Sequence, residues 1–181
     1  MVGKGSPPRS VVIGRRGPIR RALAAHLDSD EVTRVIYGSV IGLALVVALE
    51  AHPPTIGQTI GAILGTAIAV GLAEIYSDVI GTEARMRRRL RAGEIRTTTR
   101  GAAAVIFGAG FPAIFFVLAG LGAFGGSAAF TLSKWTGLGL IGTYGFVAGR
   151  LSGSSVPRAA LHAAAVGAIG GVLIALKALL H

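Results

Sequence analysis

Five long apolar runs, separated by short polar breaks, constrain this chain more than any other feature of it. They extend from about Val32 to Leu49, from Thr55 to about Ile80, from Ala102 to Leu121, from about Ala129 to Gly149 and from Arg158 to Leu180. A helix needs roughly 20 apolar residues to cross the hydrocarbon of a bilayer, and each run is of about that length. Hydrocarbon offers no partner to backbone N–H and C=O groups, so spanning segments are helices or closed barrels. Unbroken apolar runs lack the polar alternation of barrel strands. The expected fold class is therefore all-α, a polytopic membrane protein with five transmembrane helices. Composition points the same way, with 52% hydrophobic and 14% charged residues and a mean hydropathy of +0.68.

The breaks organise the chain. Residues 1–31 form a basic flexible tail, in which Ile19, Leu23 and Leu27 recur at the spacing of a short interfacial helix, and residues 32–180 form the five-helix membrane domain. No apolar core of a secretory signal is expected in the tail. Glu50, His52, Pro53 and Pro54 close the first run. The second is long enough to continue as one helix into an Arg-rich loop over 82–101, and the third tolerates Pro112, as membrane helices do. Lys and Arg number seven over residues 1–34, none in the 51–54 loop, seven in 82–101, one near residue 134 and two in 150–158. The positive-inside rule then places the N-terminus and the 82–101 loop in the cytoplasm.

Gly accounts for 28 residues and lies within the apolar runs. In lipid, small residues let helix backbones approach closely. Gly57, Gly61, Gly65 and Ala69 recur every four residues in the second run, and Ala159, Ala163, Gly167, Gly171 and Ala175 do so in the fifth. Both stripes predict helix packing, within one chain or between two. The formal charge of +10 sits beside spans and lacks the interleaved aromatics of a nucleic-acid surface, so anionic lipid headgroups, met by Arg85, Arg87, Arg88, Arg89 and Arg91, are the expected partners and nucleic acid is not. The chain has no cysteine, which removes disulfides and thiolate metal sites. No nucleophile motif, P-loop or HExxH occurs, and no enzymatic activity is expected.

Ionisable groups inside hydrocarbon are costly and mark function by default. Glu74 and Asp78 stand four residues apart, on one face of the second span, with Tyr76 and Ser77 beside them. Two carboxylates so placed can share a hard or borderline divalent cation and exchange protons for it. The plain alternative is an interfacial salt bridge with Arg85, Arg88 or the tail arginines. Glu50 and His52, at the outer end of the first span, offer a metal or proton entry point, with a solvated helix end as the plainer expectation, and His26 and His162 have no second ligand at metal spacing.

The segment GLAEIYSDVIGTEA resembles the acid-containing helix of the vacuolar iron transporter family, in which LAD is followed by two residues, Ser-Met, a small pair and Gly. FPAIFFVLAG and the stretch from TLSKWTGLGLIGTYGFVAGR to the C-terminus resemble its last three helices. The resemblance covers about residues 32–180. It implies a homodimer of five-helix subunits passing iron or manganese in exchange for protons, with Glu74 at the family's acid and Ser77 at its Ser, so that Glu74, Asp78 and Ser77 form the expected metal site. Departures are specific. The first span carries Tyr37, Gly38 and Ser39 where an acid is usual, Asp78 stands where Met is common, and the Glu-rich cytoplasmic insert is replaced by arginines. The expectation is a reduced member of that family. It would hold no permanent cofactor and would carry a divalent cation as substrate across a bacterial plasma membrane. The rival expectation is a non-transporting membrane scaffold of the same fold.

Overall fold

The computed structural model describes residues 29–89 and 92–180, and every element in them is helical. Six helices follow in order: α1 (Ser29–Ala51), α2 (Ile56–Met86), α3 (Ala92–Gly110), α4 (Ala113–Gly120), α5 (Gly126–Leu151) and α6 (Val156–Leu180). Two of them, α1 over Asp30–Ala51 and α2, are long and apolar enough to cross a membrane; a third crossing is counted if α3 and α4 act together. α5 is long but diluted by Gly, Ser, Thr and Lys134, and the apolar stretch described in α6 is the shorter Val156–Val172. Residues 1–28 of the basic tail, with the expected interfacial helix, and Arg91 lie outside the described residues, while residues 29–31 already belong to α1.

Local chemistry sets the helix ends. Pro53 and Pro54 stop α1, and Thr55 opens α2 with a capping box: its hydroxyl accepts from Gln58 N–H while Gln58 Oε1 accepts from Thr55 N–H at 3.1 Å. α2 then runs unbroken for 31 residues and ends where Arg87 turns left-handed at φ 50°. α5 is entered after a Schellman turn in which Ala123 N–H reaches Leu118 O and Gly122 N–H reaches Ala119 O, with Gly122 at φ 86°. The same turn recurs after α5, around Gly153.

Two expectations are corrected. The segment 82–101 is not a loop throughout: α2 continues into it as far as Met86, as expected, and α3 starts at Ala92, with an Arg88–Glu94 ion pair at 2.6 Å linking the residues that follow α2 to the first turn of α3. The third run is not one continuous helix. Pro112 lacks the N–H that would continue the ladder, and α3 and α4 meet at a bend of 49°.

The centre of the bundle is α1, which packs on α3 and α5 and, along one edge, on α6; α2 packs on α3 and α4 and touches α1 only slightly. The α1–α3 crossing is backbone on backbone. A Cβ at Gly38 would collide with the Val105 carbonyl, one at Gly42 would lie 2.7 Å from Ala109 O, and one at Gly108 would meet Val35 O and lie 2.8 Å from Ser39 N. Glycine is required there, and its Cα–H groups face carbonyl oxygens in the manner of weak hydrogen bonds. Ser39 is 3% exposed and its hydroxyl has no conventional partner among the described residues; Gly108 lies against it. Apolar packing adds a cluster of Val46, Ile63, Ala113, Phe116 and Phe130, in which the two phenyl rings meet edge to face at 4.8 Å, and a smaller one of Leu43, Val47 and Ile141.

The stripes noted in the sequence divide differently. Ala159 and Ala163 seat α6 on Gly149 and Gly145 of α5, whereas Gly167 and Gly171 meet nothing within 4 Å. Four residues advance a helix by about 400°, so a four-residue stripe drifts about 40° per step. The inward face passes instead to Gly170, which packs against Leu43 and Leu138. On α2, Gly57, Gly61 and Gly65 also meet nothing, and Thr59, Ile63, Ala67 and Gly71 are the buried line. The outer side of α2 exposes Leu64, Ile68, Leu72, Tyr76 and Ile80, an apolar belt suited to lipid.

Candidate functional site

The buried line of α2 leads to the two acids. Past Gly71 the next inward positions at helical spacing are residues 74 and 78, so Glu74 and Asp78 are turned toward α1 and α3. What meets them is Arg34, in the second turn of α1. Its Nη1 donates to Glu74 Oε1 at 2.6 Å and its Nη2 to Asp78 Oδ2 at 2.7 Å. The three side chains are between 24% and 32% exposed, at the edge of the bundle. One guanidinium thus spans two carboxylates, a charge-assisted arrangement well matched to its planar fork.

α3 supplies the floor. Gly101 lies against the Arg34 guanidinium so closely that a Cβ there would sit 2.6 Å from Cζ. Arg34, Gly38 and Gly42 follow one line of α1, and Gly101, Val105 and Gly108 follow the facing line of α3, so the crossing that welds the two helices also seats the arginine. Around it opens a polar cleft of about 300 Å³, walled by Asp30, Glu31, Asp78, Thr82, Arg85 and Arg100. Arg100 Nε lies 3.5 Å from Glu31 Oε1. Four carboxylates, counting Glu74, therefore gather with three arginines. Glu74 also borders a shallow depression with Tyr37, Val70, Ala73 and Ser77.

Of the expected metal site, Glu74 and Asp78 come together, and Ser77 lines the depression beside Glu74 instead of the cleft that holds Asp78. Among the described residues no three His, Asp or Glu side chains converge as ligands. The expected salt-bridge partners differ from those found: Arg88 pairs with Glu94, and Arg85 lines the cleft with its Nη2 3.5 Å from Thr82 Oγ1. Arg87 and Arg89 are exposed. Arg34 is the residue of this candidate site that sequence reasoning overlooked, because it was counted with the charges of the tail. Its signal was present. It stands inside the first apolar run, opposite in charge to the only acids inside the second.

A second ion pair lies at the far end of α1, about 24 Å from Arg34 at 1.5 Å per residue. There Lys134 Nζ lies 2.7 and 2.8 Å from the two oxygens of Glu50, tying α1 to α5 beside a largely apolar cavity of about 220 Å³. No family model, curated protein or solved structure matches the chain.

Proposed function

We propose that this chain is a membrane transporter that moves a divalent cation, iron or manganese, past Glu74 and Asp78 in exchange for protons. The reading is the one implied by the resemblance to the vacuolar iron transporter family. It takes α1, α2, the bent α3–α4 pair, α5 and α6 as five spans, with the N-terminus cytoplasmic in a bacterial plasma membrane. The observation that carries it is the placement of two carboxylates on the inward face of a candidate span, Asp78 at the wall of a polar cleft and Glu74 beside it at the edge of a second depression. Deprotonated carboxylates offer hard oxygen ligands to the cation, and their protonation releases it, which couples metal to protons. Ser77 and water would complete the ligand set. The open stripe of Gly57, Gly61 and Gly65 supports pairing of two copies through α2, and Arg85, Arg87, Arg88 and Arg89 suit anionic headgroups at the cytoplasmic face.

In proteoliposomes, uptake of ferrous iron or manganese should follow an imposed pH gradient and fall at least tenfold in Glu74→Gln and in Asp78→Asn. A non-transporting scaffold is favoured by one specific observation, that Arg34 already pairs with both acids. Flux equal to that of empty vesicles for the native chain would decide for the scaffold.

A further inference from the structure

The place a cation would occupy between Glu74 and Asp78 already holds one. Arg34 reaches both carboxylates at once, and it lies flat because Gly101 has no side chain to lift it. We infer that Arg34 is a resident counter-cation that competes with the transported metal, and that Gly101 is the positioning residue that seats it. The inference rests on the reading of Glu74 and Asp78 as a cation site and adds how that site is regulated.

Three features support a guanidinium that exchanges instead of one locked in place. The triad is about a quarter exposed and opens on a cleft, so Arg34 has a path outward. Asp30 stands one helical turn before it on α1, at the i, i+4 spacing at which an acid and an arginine pair, and lines the same cleft. The swing needs no backbone movement, because the α1–α3 crossing holds through Gly38, Gly42 and Gly108 whatever the arginine does. A divalent ion arriving between Glu74 and Asp78 displaces one positive charge with two. The arginine then rests against Asp30, and the partly buried carboxylates are never left unpaired, which would be costly.

Gly101→Ala tests the seat. The three atoms nearest the added methyl all belong to the end of the long Arg34 side chain and none to backbone, so the variant should push the guanidinium aside while the helices keep their packing. Arg34→Gln removes the competitor, and Asp30→Asn removes its resting place. Binding of Mn²⁺ alone to the purified full-length chain, followed by electron paramagnetic resonance, should be at least tenfold tighter in both Gly101→Ala and Arg34→Gln than in the native chain, and severalfold weaker in Asp30→Asn. The gain should vanish when Glu74→Gln and Asp78→Asn are added to Gly101→Ala. Unaltered Mn²⁺ affinity in a Gly101→Ala protein that keeps native helix content and melting temperature would overturn the inference, whether or not Arg34→Gln folds. The two readings fail separately. Tighter binding in Gly101→Ala without flux in any variant removes the transporter and keeps the exchange, whereas robust flux with unchanged affinities removes the exchange and keeps the transporter.

Discussion

Two sets of glycines with the same four-residue spacing behave in opposite ways. Gly38 and Gly42 on α1 are pressed against the backbone of α3, while Gly57, Gly61 and Gly65 on α2 face open space. Spacing makes a smooth helical face in both cases. What differs is the position in the bundle: α1 is surrounded by α3, α5 and α6, whereas α2 stands at the edge with its apolar belt outward. A glycine stripe therefore marks where a backbone approach is permitted, and only the arrangement of the other helices says whether one occurs inside the chain.

The sharpest way to break this contrast is Gly38→Val. The new side chain meets the Val105 carbonyl, which belongs to a helix and cannot rotate away, so overpacking should destabilise by about 3 kcal/mol. Loss of the cooperative thermal transition in detergent, followed by circular dichroism, is the expected result; a native melting curve would mean that the crossing is looser than described. Arg34→Ala should come next. It leaves Glu74 and Asp78 facing each other across an unfilled gap, and breaking such a pair costs about 3–5 kcal/mol when fully buried. Exposure of about a quarter of the triad screens it, so roughly 1–3 kcal/mol is expected here, with partial recovery when Glu74→Gln is added. A double-mutant cycle on melting temperatures measures that coupling.

Glu50→Gln at the other end of α1 should cost less, about 1 kcal/mol, because Lys134 can extend its flexible stem toward water. The smallest effect on the fold is expected from Gly61→Val, within about 0.5 kcal/mol for the isolated chain, since nothing lies within 4 Å of it. That variant sharpens the comparison in a different way. If the α2 stripe joins two copies, Gly61→Val should convert a dimer to a monomer in analytical ultracentrifugation without changing helix content. An unchanged sedimentation coefficient would leave the stripe as a lipid-facing surface.

The uneven legibility of the sequence has physical causes. α1 and α2 emerged at nearly their observed bounds because a long apolar run flanked by Pro or charge has one helical solution in lipid. The Arg-rich segment 82–101 was read as a loop into which α2 continues, yet from Ala92 it is helix again, since charge says where water is and not where hydrogen bonding stops. Pro112 was read as tolerable within one helix, yet the chain bends there by 49°. Glu74 and Asp78 were found from spacing, a property of a single helix. Arg34 and Gly101 were missed because their roles exist only where α1, α2 and α3 meet.

From sequence alone, hydropathy and backbone hydrogen-bond demand determined that this chain is helical and carries segments fit to cross a membrane, and the i, i+4 rule determined that its two inner acids share a face. Which glycines touch a neighbour, and which cation lies between those acids, was decided by tertiary structure. The reason is that helix period is a local quantity, fixed by hydrogen bonds four residues apart, whereas the partner of a face depends on crossings between residues far apart in the chain, as with Arg34 and Glu74.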